Sequence, residues 1–303
     1  MNQIKFISSG KQGLSLIINY LKEKHFIKNK HDEIFVPKFM GTWVYSSLNN
    51  HILTSPYFSD KTKIIHMYHQ FGIPQEIDVI LNFAKEKNLR VIEDCAHVLN
   101  CDLNNENIIG NNGDFTIYSF SKFIDCFLLG GIRSNSDDFN RYLTNKIQNS
   151  SKYLTIINLF LILFSKFFSS KKAMDINYSL YHYPSKPLNF IIKKYKKEII
   201  SEKESILKRY LNFKRNLREF IPYDYLKFDK LVCNYLPIDD DEKKVKILIE
   251  KFQSYKMPFK KVFFDINRNM LNPNYKLTIG LETGSKNKFF NEQVDIVFDA
   301  YKK

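Results

Sequence analysis

The sequence predicts an α/β protein with a mainly parallel sheet flanked by helices in a large N-terminal domain and a smaller α+β C-terminal domain. Up to residue 136, short apolar runs alternate with helical patterns of about a dozen residues. After residue 137, long helical stretches replace this alternation. Since 303 residues can bury one large core or two smaller ones, we expect domains at 1–150 and 151–303.

The elements of the N-terminal half follow in the order that such a sheet requires. β-branched and aromatic runs predict strands, and apolar residues spaced three and four apart predict helices. The expected strands lie at 5–8, 33–37, 62–68, 89–94, 113–120 and 130–134. The expected helices lie at 10–24, 41–48 and 75–87, with a turn at HQFGIP before the last of them. Strands and helices that alternate in this way favour parallel pairing.

The C-terminal half reads mainly as helix. Helices are expected at 137–149, 153–168, 191–220, 241–255 and 290–301, with one strand at 230–238. The segment 153–168, YLTIINLFLILFSKFF, is strongly apolar but shorter than the roughly 20 residues of a spanning helix. It reads either as a buried or interface helix or as an interfacial membrane helix, because Lys171 and Lys172 follow it.

The charge balance favours anionic partners. Lysine and arginine outnumber the acids 46 to 32, a formal charge of +14. Nucleotide-linked substrates, nucleic acid and a lipid surface all fit such a charge, and so does a biased genome without functional meaning. Charge alone therefore does not select a partner.

The cysteines and histidines give no pattern typical of a metal site. Cys95, Cys101, Cys126 and Cys233 form no CxxC pair, which favours reduced thiols in a cytosolic protein. His66 and His69 lie three apart on a predicted strand and should face opposite sides. The start, MNQIKFISSG, lacks a charged leader before an apolar run, so we expect no signal peptide and a cytoplasmic location.

The stretch SSGKQG at 8–13 places glycine at a predicted helix start. A P-loop would need glycine at position 5 and Ser or Thr at 12, where the chain has Lys5 and Gln12. There is no GxGxxG either. What remains is that the amides of Gly10, Lys11 and Gln12 at a helix N-terminus can hold one phosphate.

Two charged residues follow predicted strands. Asp94 ends the strand LRVIED, at the sheet edge where open α/β proteins bind ligands, although it can equally cap a helix. Lys122 lies between a strand and the Gly130-Gly131 turn. A lysine amine forms imines with carbonyls when its pKa is lowered, whereas a solvated surface lysine does not.

At these residues the chain resembles the pyridoxal-phosphate-dependent nucleotide-sugar aminotransferases of the DegT/StrS type, of fold type I. The resemblance rests on an ordered set of signals and covers residues 6–140 best. The signals are SSGKQGLSL, EIFVPKFMGTWV, HQFGIP, VIEDCAH, GDFTIYSFSK and LLGG. Each is weak alone, but their order is specific.

The resemblance implies a role for each matching position. Asp94 would pair with the pyridine nitrogen of pyridoxal 5'-phosphate, His97 would contact the ring hydroxyl and Trp43 would stack on the ring. Ser119 would join Gly10, Lys11 and Gln12 at the phosphate. Lys122 would bind the cofactor covalently and move protons.

The resemblance also implies partners. An amino acid, commonly glutamate, would donate the amino group to a nucleotide-linked keto-sugar, in surface polysaccharide synthesis such as that of lipopolysaccharide. A homodimer is expected, and nucleic acid is not. Peripheral membrane contact through 153–172 remains open.

Differences from the family's pattern define the other interpretations. Only about a dozen residues separate Leu48 from Thr62, where the family has another strand and helix. We therefore expect this region to lack an element or to be rebuilt. A diverged relative that dehydrates a sugar or only binds cofactor, and a noncatalytic membrane-peripheral protein, are the alternatives.

Overall fold

The computed structural model describes residues 4–99, 109–126, 128–168, 171–180, 183–221, 224–238 and 241–302, without the side chains of 43, 166, 171, 174 and 177–179. Its strands are β1 Lys5–Ile7, β2 Glu33–Phe35, β3 Leu53–Ser55, β4 Thr62–Tyr68, β5 Arg90–Cys95, β6 Phe115–Ser119, β7 Gly130–Ser134, β8 Tyr235–Ile238, β9 Lys260–Asp265 and β10 Tyr275–Glu282. Its α-helices are α1 Gly10–Glu23, α2 Thr42–Asn49, α3 Ile77–Glu86, α4 Asp137–Gln148, α5 Lys152–Phe168, α6 Lys171–Leu180, α7 Asn189–Leu217, α8 Glu242–Ser254 and α9 Phe290–Lys302.

Seven strands form the large sheet in the order β1-β7-β6-β5-β4-β2-β3. The neighbours from β6 to β3 are parallel, whereas β7 is antiparallel to both β6 and β1. The sheet is thus mainly parallel, as predicted. This topology brings the carboxyl ends of β1, β4, β5 and β6 to one edge, together with the start of β7.

Side chains of the central strands alternate between two cores, because successive residues of a strand point to opposite faces. Ile64 and Ile92 pack with α1 and α4 on one face. Ile65 and Val91 pack with α3 on the other face. The sheet is therefore covered on both sides, which explains why its strands read as nearly continuous apolar runs.

Helix α7 joins the two halves of the chain. Its N-terminal part contributes Ile191 and Tyr195 to the core around β5 and β6. Its C-terminal part contributes Tyr210 and Phe213 to the core of the second sheet. At about 1.5 Å per residue, 29 residues are long enough to serve both cores. The domain division at residue 150 remains a prediction.

The second sheet has the order β8-β10-β9, with both pairs antiparallel. Strands β9 and β10 were not predicted from the sequence, and β8 begins at Tyr235 and not at residue 230 as expected. Residues 230–234 are not a strand, because they bond to loops beside the large sheet. Val232 accepts from the amide of Leu99 at 3.2 Å, and the amide of Asn234 donates to the carbonyls of Phe71 and His97.

The region between Leu48 and Thr62 is rebuilt rather than empty. Strand β3 is present and pairs in parallel with β2 at the sheet edge. It runs into β4 through bends and a turn instead of a helix. Helix α6, which the sequence analysis did not predict, forms a hairpin with α5. Within the described residues, helices long and apolar enough to cross a membrane are absent.

Candidate active site

The carboxyl edge of the large sheet collects most of the predicted site residues. Tyr68 ends β4, Asp94 lies one residue before the end of β5, and Ser119 ends β6. The three strands are neighbours, and Tyr68 and Asp94 are paired in register. Ligands bind at this edge in open α/β sheets because strand ends and helix N-termini meet there.

Asp94 is a buried carboxylate with defined partners. Its Oδ2 lies 3.0 Å from Nε2 of His66, and its Oδ1 accepts a 2.8 Å hydrogen bond from the amide of Ala96. Burial alone would raise the pKa of Asp94, but the contact with His66, the charge of Lys122 and the Ala96 amide hold it below its ordinary value. Asp94 is therefore ionised at neutral pH.

Lys122 ends the short 3-10 helix Phe120–Lys122 that follows β6. Its side chain remains accessible to solvent, but the cleft desolvates the ammonium group and lowers its pKa to about 8. The charge of Asp94 opposes this shift, and the charge of Lys260 adds to it. The amine of Lys122 and the carboxylate of Asp94 thus act on each other in one cleft, and a sizeable fraction of the amine is neutral near pH 8.

The N-terminus of α1 approaches the end of β6. A Cβ on Gly10 would lie 3.1 Å from the carbonyl oxygen of Tyr118 and 3.5 Å from Cβ of Ser119. A Cβ on Gly130 would lie 2.5 Å from the carbonyl carbon of Ser9 and 2.6 Å from the nitrogen of Gly10. Glycine at 130 is therefore needed for the close approach of β7 to the start of α1, where Gly10 lies beside Ser119.

Lys11, in the first turn of α1, belongs to the same cleft. Burial and the nearby charge of Lys122 lower its pKa to about 7. Two amines that repel each other in a desolvated cleft favour an anion between them.

Gln12, also in the first turn of α1, has several hydrogen-bond partners within the protein. The backbone amide of Gln12 donates a 3.2 Å hydrogen bond to Ser9 Oγ, and this bond caps the N-terminus of α1. Its buried side chain accepts from Ser8 and donates to the carbonyl of Tyr183 and to Ser185 Oγ. These contacts make Gln12 a link between α1 and residues 183–185, and its part in phosphate binding remains a prediction.

His97 lies between the two halves of the molecule. Its Nδ1 is 3.1 Å from the hydroxyl of Tyr68, and the rings of Phe71 and Tyr235 are 6.4 and 6.2 Å from its ring. Burial and the charge of Lys122 lower the pKa of His97 well below its ordinary value, so the imidazole is neutral. Gly72 packs directly against the backbone of His97. Only glycine fits there, because its φ is +89° and a Cβ on it would lie 2.2 Å from the carbonyl oxygen of His97.

Trp43 lies in α2, but its side chain is outside the described part of the structure.

A second buried acid, Glu93, supports the strand that leads to Lys122. Its carboxylate accepts from the amides of Gly110, Asn112 and Gly113 at 2.7, 2.8 and 3.1 Å. Nε2 of His69 lies 3.0 Å away, and Nδ1 of His69 accepts from the amide of Gln75. This pattern places the imidazole proton on Nε2. Cys95 Sγ lies within 4.8 Å of these ligand-type atoms, but hydrogen bonding already occupies His69 and Glu93.

The sequence analysis missed Lys260 and Tyr235, which reach the cleft from the C-terminal sheet. Lys260 pairs in register with Gly280, and a Cβ on Gly280 would lie 3.1 Å from the ring of Phe71. The charge of Lys260 contributes to the lowered pKa values of both Lys122 and His97. The alternation of Tyr275, Leu277, Ile279 and Leu281 could have revealed this sheet.

Comparisons with known proteins show what this chain is similar to. Residues 57–144 match the sequence profile of the DegT/DnrJ/EryC1/StrS aminotransferase family. GDP-perosamine synthase of Escherichia coli O157:H7 is 30% identical over 115 residues, which are 38% of this chain and 30% of that protein. The sequence match thus spans about a third of that curated relative.

Solved structures share the fold over nearly the whole chain. Helicobacter pylori PseC, an aminotransferase involved in the biosynthesis of pseudaminic acid, aligns with a TM-score of 0.64 at 12% identity, over 99% of this chain and 86% of PseC. E. coli GDP-4-keto-6-deoxy-D-mannose-3-dehydratase, solved with bound hydrated pyridoxal phosphate, gives a TM-score of 0.63 at 15% identity, over 98% of this chain and 87% of the dehydratase. These likenesses confirm the predicted fold type I architecture. Residues 57–144 are thus similar to the DegT/DnrJ/EryC1/StrS aminotransferase family, and the chain shares its fold with these solved structures over nearly its whole length.

Proposed function

We propose that the protein is a pyridoxal-phosphate-dependent aminotransferase that moves an amino group from an amino acid, expected to be glutamate, to a nucleotide-linked keto-sugar. The observation that carries this proposal is the mutual electrostatic influence of Lys122 and Asp94 at the ends of neighbouring strands. An amine that deprotonates near pH 8 and a buried ionised carboxylate are the two groups such chemistry needs from a protein.

The residues of the cleft fit this cofactor. Lys11 and Lys122 are two desolvated amines with lowered pKa values, and a phosphate between them would relieve their repulsion. Gly10 and Ser119 would hold the phosphate at the N-terminus of α1. Asp94 would hold a proton on the ring nitrogen, His97 would contact the ring hydroxyl, and Trp43 would stack on the ring. Pyridoxal phosphate, when bound, supplies the aldehyde and the electron-accepting ring.

The protein's own part in the reaction is positioning and proton transfer. Lys122 would hold the cofactor until the amino-acid donor displaces it, and its freed amine would then carry a proton at the substrate carbon. A pKa near 8 suits a group that both accepts and returns a proton close to neutral pH. His66 keeps Asp94 ionised throughout, and neutral His97 can donate or accept a hydrogen bond without adding charge.

Lys260 would attract the anionic part of the substrates. It lies in the second sheet, and its charge acts on both Lys122 and His97. A pyrophosphate or a donor carboxylate would suit this cation. The name of GDP-perosamine synthase supports a nucleotide-linked sugar as the acceptor, and the role in surface polysaccharide synthesis remains a prediction. The homodimer and the cytoplasmic location expected from the resemblance remain predictions.

Dehydration of a sugar is the second candidate, since the dehydratase from E. coli matches the fold as well as PseC does. The amine at Lys122 favours transamination, because transfer requires a group that releases the cofactor to an incoming amine and then returns a proton.

The test is spectroscopic and chemical. Purified protein mixed with pyridoxal phosphate should develop a near-visible absorbance band, which Lys122→Ala should abolish and glutamate should bleach with release of 2-oxoglutarate. Nucleotide-linked keto-sugars should then restore the band and yield amino-sugars by mass spectrometry. A protein that stays colourless with the cofactor, or a band that glutamate leaves unchanged, would contradict the proposal. A band that glutamate bleaches, followed by release of a deoxygenated keto-sugar instead of an amino-sugar, would favour the dehydratase alternative.

A further inference from the structure

Helix α5 presents a continuous apolar face to solvent. With about 100° per residue, six of its large side chains fall within an arc of about 100°. We name this the α5 apolar face, and its residues are Tyr153, Ile156, Ile157, Phe160, Phe164 and Phe167. Tyr153 is 78% exposed, Phe160 63% and Phe167 79%, so the rings project into their surroundings rather than into a core.

The side of α5 that faces the protein is the polar one. Thr155, Asn158 and Ser165 are all buried, and they lie on the opposite side of the helix from the α5 apolar face. Thr155 Oγ1 donates a 2.6 Å hydrogen bond to the carbonyl of Lys186. A helix in water buries its apolar stripe and exposes its polar one. The reversed pattern of α5 indicates an apolar environment outside the protein.

The positive charge near α5 favours an anionic lipid surface over a second copy of the chain as the partner of the α5 apolar face. Residues 151–188, which contain α5, α6 and the loop after them, carry five lysines and one acidic residue, a net of +4. Lys152 and Lys172, at the start of α5 and near the start of α6, are exposed. Two copies of this surface would repel each other, whereas an anionic lipid surface would attract it. Aromatic rings flanked by lysines are typical of helices that lie in a lipid interface.

The hairpin is attached firmly enough to present this face. Ser151 forms a bridge with Ser185 across the base of the α5–α6 pair. Ser185 Oγ lies 2.6 Å from Ser8 Oγ, and Gln12 donates to the same hydroxyl. These contacts attach the base of the hairpin to α1 and to the residue that follows β1.

We propose that the α5–α6 hairpin docks the protein on an anionic membrane surface, with α5 lying in the interface and its apolar face among the lipid chains. The aromatic side chains supply the apolar contact, and the surrounding lysines supply the attraction to anionic headgroups. This inference is independent of the proposed reaction, since none of the site residues lies on the hairpin.

Vesicle flotation tests the proposal with the full-length protein. It should float with vesicles of phosphatidylcholine mixed with phosphatidylglycerol, far less with phosphatidylcholine alone, and less as salt rises. Phe160→Ser/Phe167→Ser should lower the bound fraction about tenfold or more, because both rings are exposed and contribute most to the apolar contact. Lys152→Glu/Lys172→Glu should remove most of the preference for the anionic vesicles.

A matched control distinguishes binding through the α5 apolar face from nonspecific binding through any exposed aromatic ring. Tyr57→Ser/Tyr255→Ser removes two rings that are equally exposed but lie elsewhere, and it should bind vesicles like the wild type. Circular dichroism would show that every variant is folded. A wild-type protein that does not float, or a Phe160→Ser/Phe167→Ser variant that floats undiminished, would overturn the proposal. A third outcome is that the wild type fails to bind vesicles while the Phe160→Ser/Phe167→Ser variant has half the wild-type mass by light scattering. In that case the face joins two copies of the chain, and the proposal is wrong.

Discussion

Oδ2 of Asp94 lies 3.0 Å from Nε2 of His66, a buried imidazole on the neighbouring parallel strand. This contact offsets the cost of burying the carboxylate, which by itself would favour the neutral acid. Together with the charge of Lys122 and the amide of Ala96, His66 therefore keeps the buried carboxylate of Asp94 ionised.

His66→Leu should consequently move the acid limb of the activity profile to higher pH. Without the imidazole, burial raises the pKa of Asp94, so the carboxylate becomes protonated at a higher pH as acid is added. Measuring kcat/KM from pH 5 to pH 9 checks this expectation. Asp94→Asn is the reference, since it should lose activity at every pH. If the acid limb of His66→Leu is not shifted, His66 does not control the pKa of Asp94.

The amine of Lys122 should react with acylating reagents at an unusually low pH. Because its pKa is about 8, the labelling rate of the cofactor-free protein should rise through pH 8 and level off well before the pH of an ordinary lysine. Mass spectrometry of peptides measures the rate for each lysine in one experiment. Lys61, exposed on the turn before β4, is the internal control, and identical pH profiles for the two would contradict the assignment.

Lys11→Met should weaken phosphate binding without unfolding the protein. The variant removes one of two amines that repel each other, so the empty protein should be as stable as the wild type or more so, while the affinity for pyridoxal phosphate should fall about tenfold or more. Titration of the absorbance band gives the Kd. Lys22→Met, on the exposed side of the same helix, should leave the Kd unchanged.

Gly130→Ala tests the contact between β7 and the start of α1. The added methyl group would meet backbone atoms of Ser9 and Gly10 at 2.5–2.6 Å, and backbone cannot yield as a flexible side chain does. We expect a loss of about 1–3 kcal/mol in the free energy of unfolding and weaker cofactor binding. Gly41→Ala is the matched control, because the nearest atom there is 3.8 Å away. Equal thermal shifts in the two variants would show that the contact is unimportant.

Glu93→Gln should lower stability near neutral pH by roughly 3 kcal/mol. The hydrogen bonds from His69 and the loop amides overcome the effect of burial and hold the pKa of Glu93 at about 2, against 4.5 when it is free. The folded carboxylate therefore contributes stability above pH 4.5, and this contribution is lost as the pH falls through about 2. Urea unfolding at pH 7 and at low pH measures both parts. Exposed Glu86→Gln should change the free energy of unfolding by less than about 0.5 kcal/mol.

Local pattern was enough to predict the large sheet. The strand expected at 62–68 has the same bounds as β4, because it is a buried apolar run and both its ends are marked by turns. Residues 230–234 were wrongly predicted as strand, because they are equally apolar but satisfy their backbone groups with loops at 71 and 97–99. Periodicity does not distinguish these two uses of an extended segment.

The cleft residues that follow directly after a strand of the large sheet could be predicted from the sequence. Asp94 and Lys122 stand directly after apolar runs, so topology alone brings them to one edge. Lys260 and Tyr235 enter from a sheet more than 100 positions further along the chain, and His66 is recognised as a partner of Asp94 only once the register of β4 and β5 is known. Such contacts depend on tertiary packing, which the spacing of residues in the sequence does not encode.

The side-chain amide of Gln12 joins the beginning of the first long helix to a carbonyl and a hydroxyl some 170 positions later in the chain. Excising residues 151–188 by gene deletion would remove both acceptors of the Gln12 side-chain nitrogen, while its oxygen would keep the bonds from Ser8. A truncated variant designed for crystallisation would therefore need a replacement at position 12 that has no side-chain donor to satisfy, such as an aliphatic side chain of similar volume.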